Sequence, residues 1–195
     1  MLKQSLKHSV QLLAVIAILP IYVLYIPLAL ISGKDRAFSG FSQFVSLFPG
    51  LSGSYLRVAF YRLTMHHCQA DLVVGFGTLF SQQRTSLHEG VYIGPQCNIG
   101  MCQIEKNCLL GSGVHVMSGK GQHNFEDMDT PIREQGGSFQ NISIGEDSWV
   151  GNGALIMANV GKKCIIGAGS VVIHDIPDYS IVAGNPAKII KSRQQ

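Results

Sequence analysis

The sequence predicts an all-β body, a triangular parallel β-helix with one protruding loop, preceded by an α-helical membrane-associated segment. Three observations predict it. An aliphatic residue returns every six positions beyond about residue 87, glycine repeatedly follows it, and the run from Val10 to Ile31 carries no charge.

The chain is 195 residues long, enough for one domain of ordinary size with a short appendage. Charged residues make up only 14% against 46% hydrophobic, so some apolar surface must face lipid or a partner. The formal charge of +3 is mild and no basic run with interleaved aromatics occurs, which argues against nucleic acid as a partner. The five cysteines are odd in number and form no C-x-x-C pair, so neither a disulfide framework nor a zinc site is expected.

Residues 1–40 read as a membrane anchor or re-entrant helix. The uncharged run passes the length test for a transmembrane helix, but Pro20 at its centre removes a backbone hydrogen bond and predicts a break. Lys3 and Lys7 precede the run and Lys34 and Arg36 follow it, so the charge bias sends neither end across. The expectation is a re-entrant hairpin with both ends cytoplasmic, with a kinked single span as the alternative. No small-x-small site follows cleanly, which disfavours a cleaved signal peptide. Residues 41–70 predict a helical cap interrupted at Pro49-Gly50. Its Tyr55, Arg57, Phe60, Tyr61 and Arg62 suit either a headgroup layer or packing on the end of the following domain.

Residues 71–195 carry the repeat. Leu87, Ile93 and Ile99, then Ile104, Leu110 and Val116, then Ile144, Val150 and Ile156 step by a period that is neither 2 nor 3.6. A small or β-branched residue falls four positions on, as at Val91, Cys97, Cys108, Val114, Ser148, Ala154, Val160 and Ser170. Three hexads make one triangular coil, and each coil buries its apolar face only against the next. Cys97, Cys108 and Cys164 therefore read as small buried residues, not nucleophiles. Two irregularities stand out: a polar, glycine-rich insertion between Val116 and Ile142, and a step of ten instead of twelve from Ile156 to Ile166, expected as a shortened corner at Gly161.

The block from Ile142 to Lys188 resembles the C-terminal half of the hexapeptide-repeat acyltransferases, the group of galactoside, maltose and xenobiotic acetyltransferases. The resemblance covers roughly residues 85–191. It is carried by Trp149-Val150-Gly151, then Gly167-Ala168-Gly169-Ser170-Val171-Val172, then Asp175-Ile176-Pro177, then Ala183-Gly184-Asn185-Pro186-Ala187-Lys188. It implies a left-handed β-helix, a hand that periodicity alone does not give. It also implies acetyl-CoA as acyl donor, no metal, and a homotrimer whose sites lie between adjacent prisms.

O-acyl transfer from a thioester needs a base for the acceptor hydroxyl, and histidine is the natural one near neutral pH. Of seven histidines, His123 alone lies in the insertion, where similar acyltransferases carry their catalytic histidine. Glu126 and Asp127 are near enough in sequence to orient it, with Glu126 taken as the partner, and His115 is the second-choice base. By position in the resemblance, Trp149, Asn152, Ala168, His174, Lys188 and Lys191 are the expected coenzyme A contacts. His174 stands where related enzymes often carry lysine, and Trp149 is alternatively a wedge between subunits.

The sequence thus reads as an acetyl-CoA-dependent O-acetyltransferase acting on a sugar hydroxyl of a membrane-associated or lipid-linked glycan. Its catalytic domain is expected to face the cytoplasm, with membrane lipid and the glycan acceptor as partners. Two other readings use the same helix. One is a zinc hydratase similar to the γ-class carbonic anhydrases, drawing on His88, His115 and His123, whose spacing does not match that family; the other is a non-catalytic scaffold.

Overall fold

The computed structural model describes residues 2–194; the side chain of Lys3, a flanking charge above, lies outside the described residues. Three helices, α1 (Leu2–Ser32), α2 (Lys34–Ser46) and α3 (Gly50–Thr64), precede a stack of short strands that begins at His67.

The strands form three parallel sheets, the three faces of a prism. The first face stacks His67–Cys68, Ser86–Leu87, Cys102–Ile104 and Ile142–Ile144, and single bridges at Val160 and Ile176 continue it. The second runs from Val73–Val74 to Ser180–Ala183, where the antiparallel strand Lys188–Ser192 closes it. The third runs from Leu79–Phe80 to Val171–Val172. Inward side chains stack in register from coil to coil, so Val74, Ile93, Leu110, Val150, Ile166 and Val182 form one buried column.

The register corrects the expectation at Gly161. Val160 stands in the aliphatic column of the first face, not at a small inward position. The short step therefore lies between Ile156 and Val160, and it recurs between Val172 and Ile176. Gly161 occupies an ordinary place after the aliphatic residue, as Gly145 does one coil earlier. Steps from first to second face and from second to third are uniformly six residues. All variation is confined to the corner that returns from the third face to the first, and the long insertion leaves from that corner.

The small inward positions hold more than volume. The Thr78 hydroxyl donates to the Gly94 carbonyl at 2.7 Å, the Cys97 thiol to Gly111 at 3.1 Å, the Cys108 thiol to Gly145 at 3.1 Å and the Ser148 hydroxyl to Gly161 at 2.9 Å. Each ties a corner to the coil above, which explains why serine, threonine and cysteine fill sites that alanine would fit. Burial pushes the Cys108 thiol up to about 11 and raises Cys97 and Cys164 as well. All three thus stay protonated at neutral pH and serve structure.

The helices close the open end of the prism, where a bare strand edge would otherwise template aggregation. Phe80 N–H donates to Ser42 Oγ at 2.8 Å and Val74 N–H to Ser54 Oγ at 3.2 Å, while Arg57 Nε donates to the Val74 carbonyl at 3.0 Å. Tyr61 packs edge-on against Phe80 with ring centroids 4.7 Å apart. Arg57, Phe60 and Tyr61 are fully buried, which excludes them from a headgroup layer and leaves the packing role.

The expected break at Pro20 does not occur: α1 is one continuous helix holding both Pro20 and Pro27, so there is no re-entrant hairpin. A proline inside a helix costs about 3 kcal/mol. Burial of Ala14 and Ile18 before Pro20 and of Tyr25 after it offsets that cost, because each large apolar side chain contributes about 1.5–3 kcal/mol.

Candidate active site

The insertion folds as an ordered arm. Gln140 N–H donates to the Ser118 carbonyl at 2.9 Å, Ser138 N–H to Gly121 at 2.6 Å and Asn124 N–H to Gly136 at 3.0 Å, pairing the outgoing and returning strands. At the tip Asp127 accepts from the Thr130 hydroxyl at 2.6 Å and the Asp129 N–H at 2.9 Å. Those bonds, the Thr130 hydroxyl first, hold its carboxyl below the ordinary range.

Between the arm and the third face lies a cavity of about 260 Å³. Asn98, His115 and Leu155, in register on successive strands, form its floor; Ser118, Gln122 and Phe139 from the arm form its wall. Gln122 is held inward by donating to the Gly119 carbonyl at 3.1 Å. The next residue, His123, is exposed and does not line the cavity. Gln122 and His123 sit together at a bend of the arm, the first half-buried and the second exposed.

Glu126 does not reach His123. Its carboxylate accepts from the adjacent Phe125 N–H at 3.2 Å, and no described hydrogen bond joins the imidazole to a carboxylate. The arm's backbone does the positioning. Gly137 faces the Gln122–His123 peptide so closely that a Cβ there would overlap the Gln122 carbonyl and stand 2.8 Å from His123 N. Gly137→Ala is expected to push the strands apart by about 1 Å and lower turnover by roughly 10²-fold. Its thermal midpoint should stay within a degree or two because the arm is exposed; steady-state kinetics beside a melting curve check both.

The other predicted residues spread over the last coils. Trp149 is 51% exposed on the second face, in register with exposed Leu109 and Tyr92. Asn152 and Ala168 meet at the corner from second to third face, where Gly169 N–H donates to the Asn152 carbonyl at 2.8 Å. A Cβ on Gly151 would stand 2.5 Å from the Ala168 amide nitrogen, so the close approach of the two coils at this corner requires glycine. His174 lies at the opposite end of the same third-face strand, on the variable corner beside Asp175, whose carboxylate accepts from Asn159 N–H at 2.9 Å. Lys188 and Lys191 are exposed on the closing strand, opposite Ala183 and Ile181. These positions are distributed over the second face, two corners and the closing strand of the last coils.

His88 on the first face, His115 on the third and His123 on the arm do not converge. Among the described residues no three histidine, cysteine or carboxylate side chains of the one chain are placed to share a metal ion. Sequence reasoning missed Asn98, Leu155, Gln122 and Phe139. The hexad register could have found the first two, since they precede the same aliphatic column as His115.

No protein-family profile matches the chain. A probable acetyltransferase of Mycobacterium tuberculosis is 39% identical over 74 residues, covering 37% of this chain and 25% of that protein. A probable macrolide acetyltransferase of Lysinibacillus sphaericus is 31% identical over 122 residues, covering 54% of this chain and 65% of that protein. The chain thus spans less than two thirds of these relatives' lengths. Among solved structures, a hexapeptide-repeat acetyltransferase of Vibrio cholerae in complex with acetyl coenzyme A superposes with a TM-score of 0.69 at 19% identity, over 83% of this chain and 88% of that one. The fold is the left-handed parallel β-helix expected from the sequence.

Proposed function

We propose that the chain is a hexapeptide-repeat acyltransferase and transfers an acetyl group from acetyl-CoA to a hydroxyl, a reading supported by the sequence relatives and by the shared left-handed β-helix fold. The observation that carries the proposal is the arm. It holds an exposed imidazole, His123, on a backbone fixed by hydrogen bonds between its outgoing and returning segments.

In the proposed mechanism the His123 imidazole takes the proton of the acceptor hydroxyl. The alkoxide attacks the thioester carbonyl, and the tetrahedral oxyanion collapses with release of the coenzyme A thiolate. The imidazolium then returns its proton to that sulfur, so no acyl-enzyme forms. For pantetheine and phosphates the proposed contacts are the Trp149 ring, the corner residues Asn152 and Ala168, and the side chains of His174, Lys188 and Lys191. The assembly we propose is a homotrimer with the site between adjacent prisms, in keeping with an exposed His123 that lies outside the cavity of its own chain. The exposed column of Tyr92, Leu109 and Trp149 is the apolar surface such an assembly would cover.

The acceptor we propose is a sugar hydroxyl of a membrane-associated or lipid-linked glycan, with the β-helix on the cytoplasmic side. The support is α1, the one described helix long and apolar enough to cross a membrane, with a mean hydropathy of 2.5. The test incubates the purified full chain with radiolabelled acetyl-CoA and a membrane extract. Label should enter the glycolipid fraction, and acetyl-CoA at 100 times its Kd should stabilise the fold by about 2.7 kcal/mol. Absence of any thermal shift would mark a non-catalytic scaffold, and label appearing only in soluble small molecules would remove the glycan.

A further inference from the structure

We propose that α1 lies in the plane of a membrane surface, with its outward face immersed in one leaflet, and that it does not cross the bilayer. The helix has two apolar faces with different fates. Ala14, Ile18 and Tyr25 are buried against α2 and α3, whereas Leu13, Ile16, Val23 and Leu24 are each more than half exposed. Phe44 and Leu47 near the end of α2 and Leu51 on α3 are similarly exposed, and apolar grooves flank α1 on the side of either helix.

The ties to the prism fix the direction of the axis. Near the N-terminus Lys7 pairs with Asp71, and Gln11 Nε2 donates to the Ala70 carbonyl at 2.9 Å. Further along, Gln83 Nε2 donates to the Tyr25 hydroxyl at 3.1 Å, and Gln83 N–H to Asp35 at 2.8 Å. Ala70, Asp71 and Gln83 all belong to the first coil. The run from Lys7 to Tyr25, about 27 Å of helix, is therefore laid across the end of the prism, perpendicular to its axis.

A spanning α1 would drag this whole layer to hydrocarbon depth. Asp35, Asp71 and the irregular backbone around Gln83 would then meet lipid, where unsatisfied polar groups each cost several kcal/mol. Laid flat, α1 immerses only its outward stripe, and every tie stays on the protein side. Lys34 and Arg36, exposed just beyond its end, are placed for anionic headgroups. A phospholipid leaflet is thus the occupant that fits both the apolar stripe and its cationic rim. Where the arm is indeed the acyl-transfer site, its root on the third coil stands about 20 Å from the lipid, two rungs plus one helix layer. That height matches a sugar some units out on a lipid-linked chain, not one at the headgroup.

The test uses the full chain with Cys68→Ala, which leaves only buried native thiols, and adds Ser9→Cys or Ser32→Cys in separate variants. In sealed inverted vesicles from producing cells, a membrane-impermeant maleimide should label both positions, and in spheroplasts neither. Purified protein should float with phosphatidylcholine–phosphatidylglycerol vesicles, and the triple variant Leu13→Lys, Ile16→Lys, Leu24→Lys should float at least tenfold less with an unchanged melting midpoint. Labelling of the two positions from opposite sides would overturn the proposal in favour of a span. Failure of the native chain to float, with the triple variant dissolving a larger oligomer, would assign the stripe to a second copy. Neither readout uses transfer activity, so the acetyltransferase reading stands or falls separately.

Discussion

Replacing His123 with alanine is expected to lower turnover by about 10²- to 10⁴-fold while leaving acetyl-CoA binding within a factor of two or so, the signature of a lost general base. The proposed coenzyme A contacts Trp149, Asn152 and Ala168 belong to the prism, so truncating an exposed side chain on the arm should leave them intact. His115→Ala is the necessary companion. His115 lines the cavity beneath the arm with Asn98 and Leu155, and the two histidines differ in what each can reach. His123 is exposed on the arm, and His115 lies in the cavity beneath it. A loss confined to His123 places the chemistry between subunits, and a mixture of His123→Ala and Ala168-blocked chains should then recover activity by pairing intact halves. Turnover within threefold of the parent for His123→Ala, with a large loss for His115→Ala, would move the reaction into the cavity and displace the proposed base.

How much of this was legible depended on whether the signal was local. The columns through Leu87, Ile93 and Ile99 could be read directly, because each coil meets only its neighbours and every six-residue step lands on the next face. Val160 was misplaced because a four-residue step at one corner is indistinguishable, in a single hexad count, from a small inward position. Only the bridge from Ile144 through Val160 to Ile176 resolves it. The continuity of α1 was hidden for a different reason. Pro20 carries a known local penalty, whereas the compensating burial of Ile18 and Tyr25 depends on α2 and α3, brought against them by the fold. The arm shows both sides at once: its polar, glycine-rich composition announced an excursion, yet the pairing of Gly121 with Ser138 and of Asn124 with Gly136 could not be read from it. Glu126 was the cost of reading nearness in sequence as nearness in space.

The same contrast governs Arg57, which sequence reasoning left open between a headgroup layer and a cap and which the fold makes the centre of the cap. The guanidinium is buried and, among the described residues, has no carboxylate partner. It donates to the carbonyls of Ser46 and Phe48 at the end of α2 and to that of Val74 on the edge of the first coil. Helix C-termini carry unsatisfied carbonyls and partial negative charge, so one cation here serves both the helix end and the open strand edge. Arg57→Met keeps most of the volume but strips those carbonyls of their donor. A hydrogen bond to a charged group contributes about 1.5–3 kcal/mol, and these three act as a unit, so the expected loss is on the order of 3 kcal/mol in total. For a chain of this size that lowers the melting midpoint by roughly 6–12 °C. Arg57→Lys retains the charge without the fork and should fall between the two. Denaturant titration of the full chain measures the difference. A loss below about 1 kcal/mol for Arg57→Met would mean that water satisfies these carbonyls and that the helices cap the prism through Tyr61 on Phe80 and the Ser42 and Ser54 hydroxyls alone.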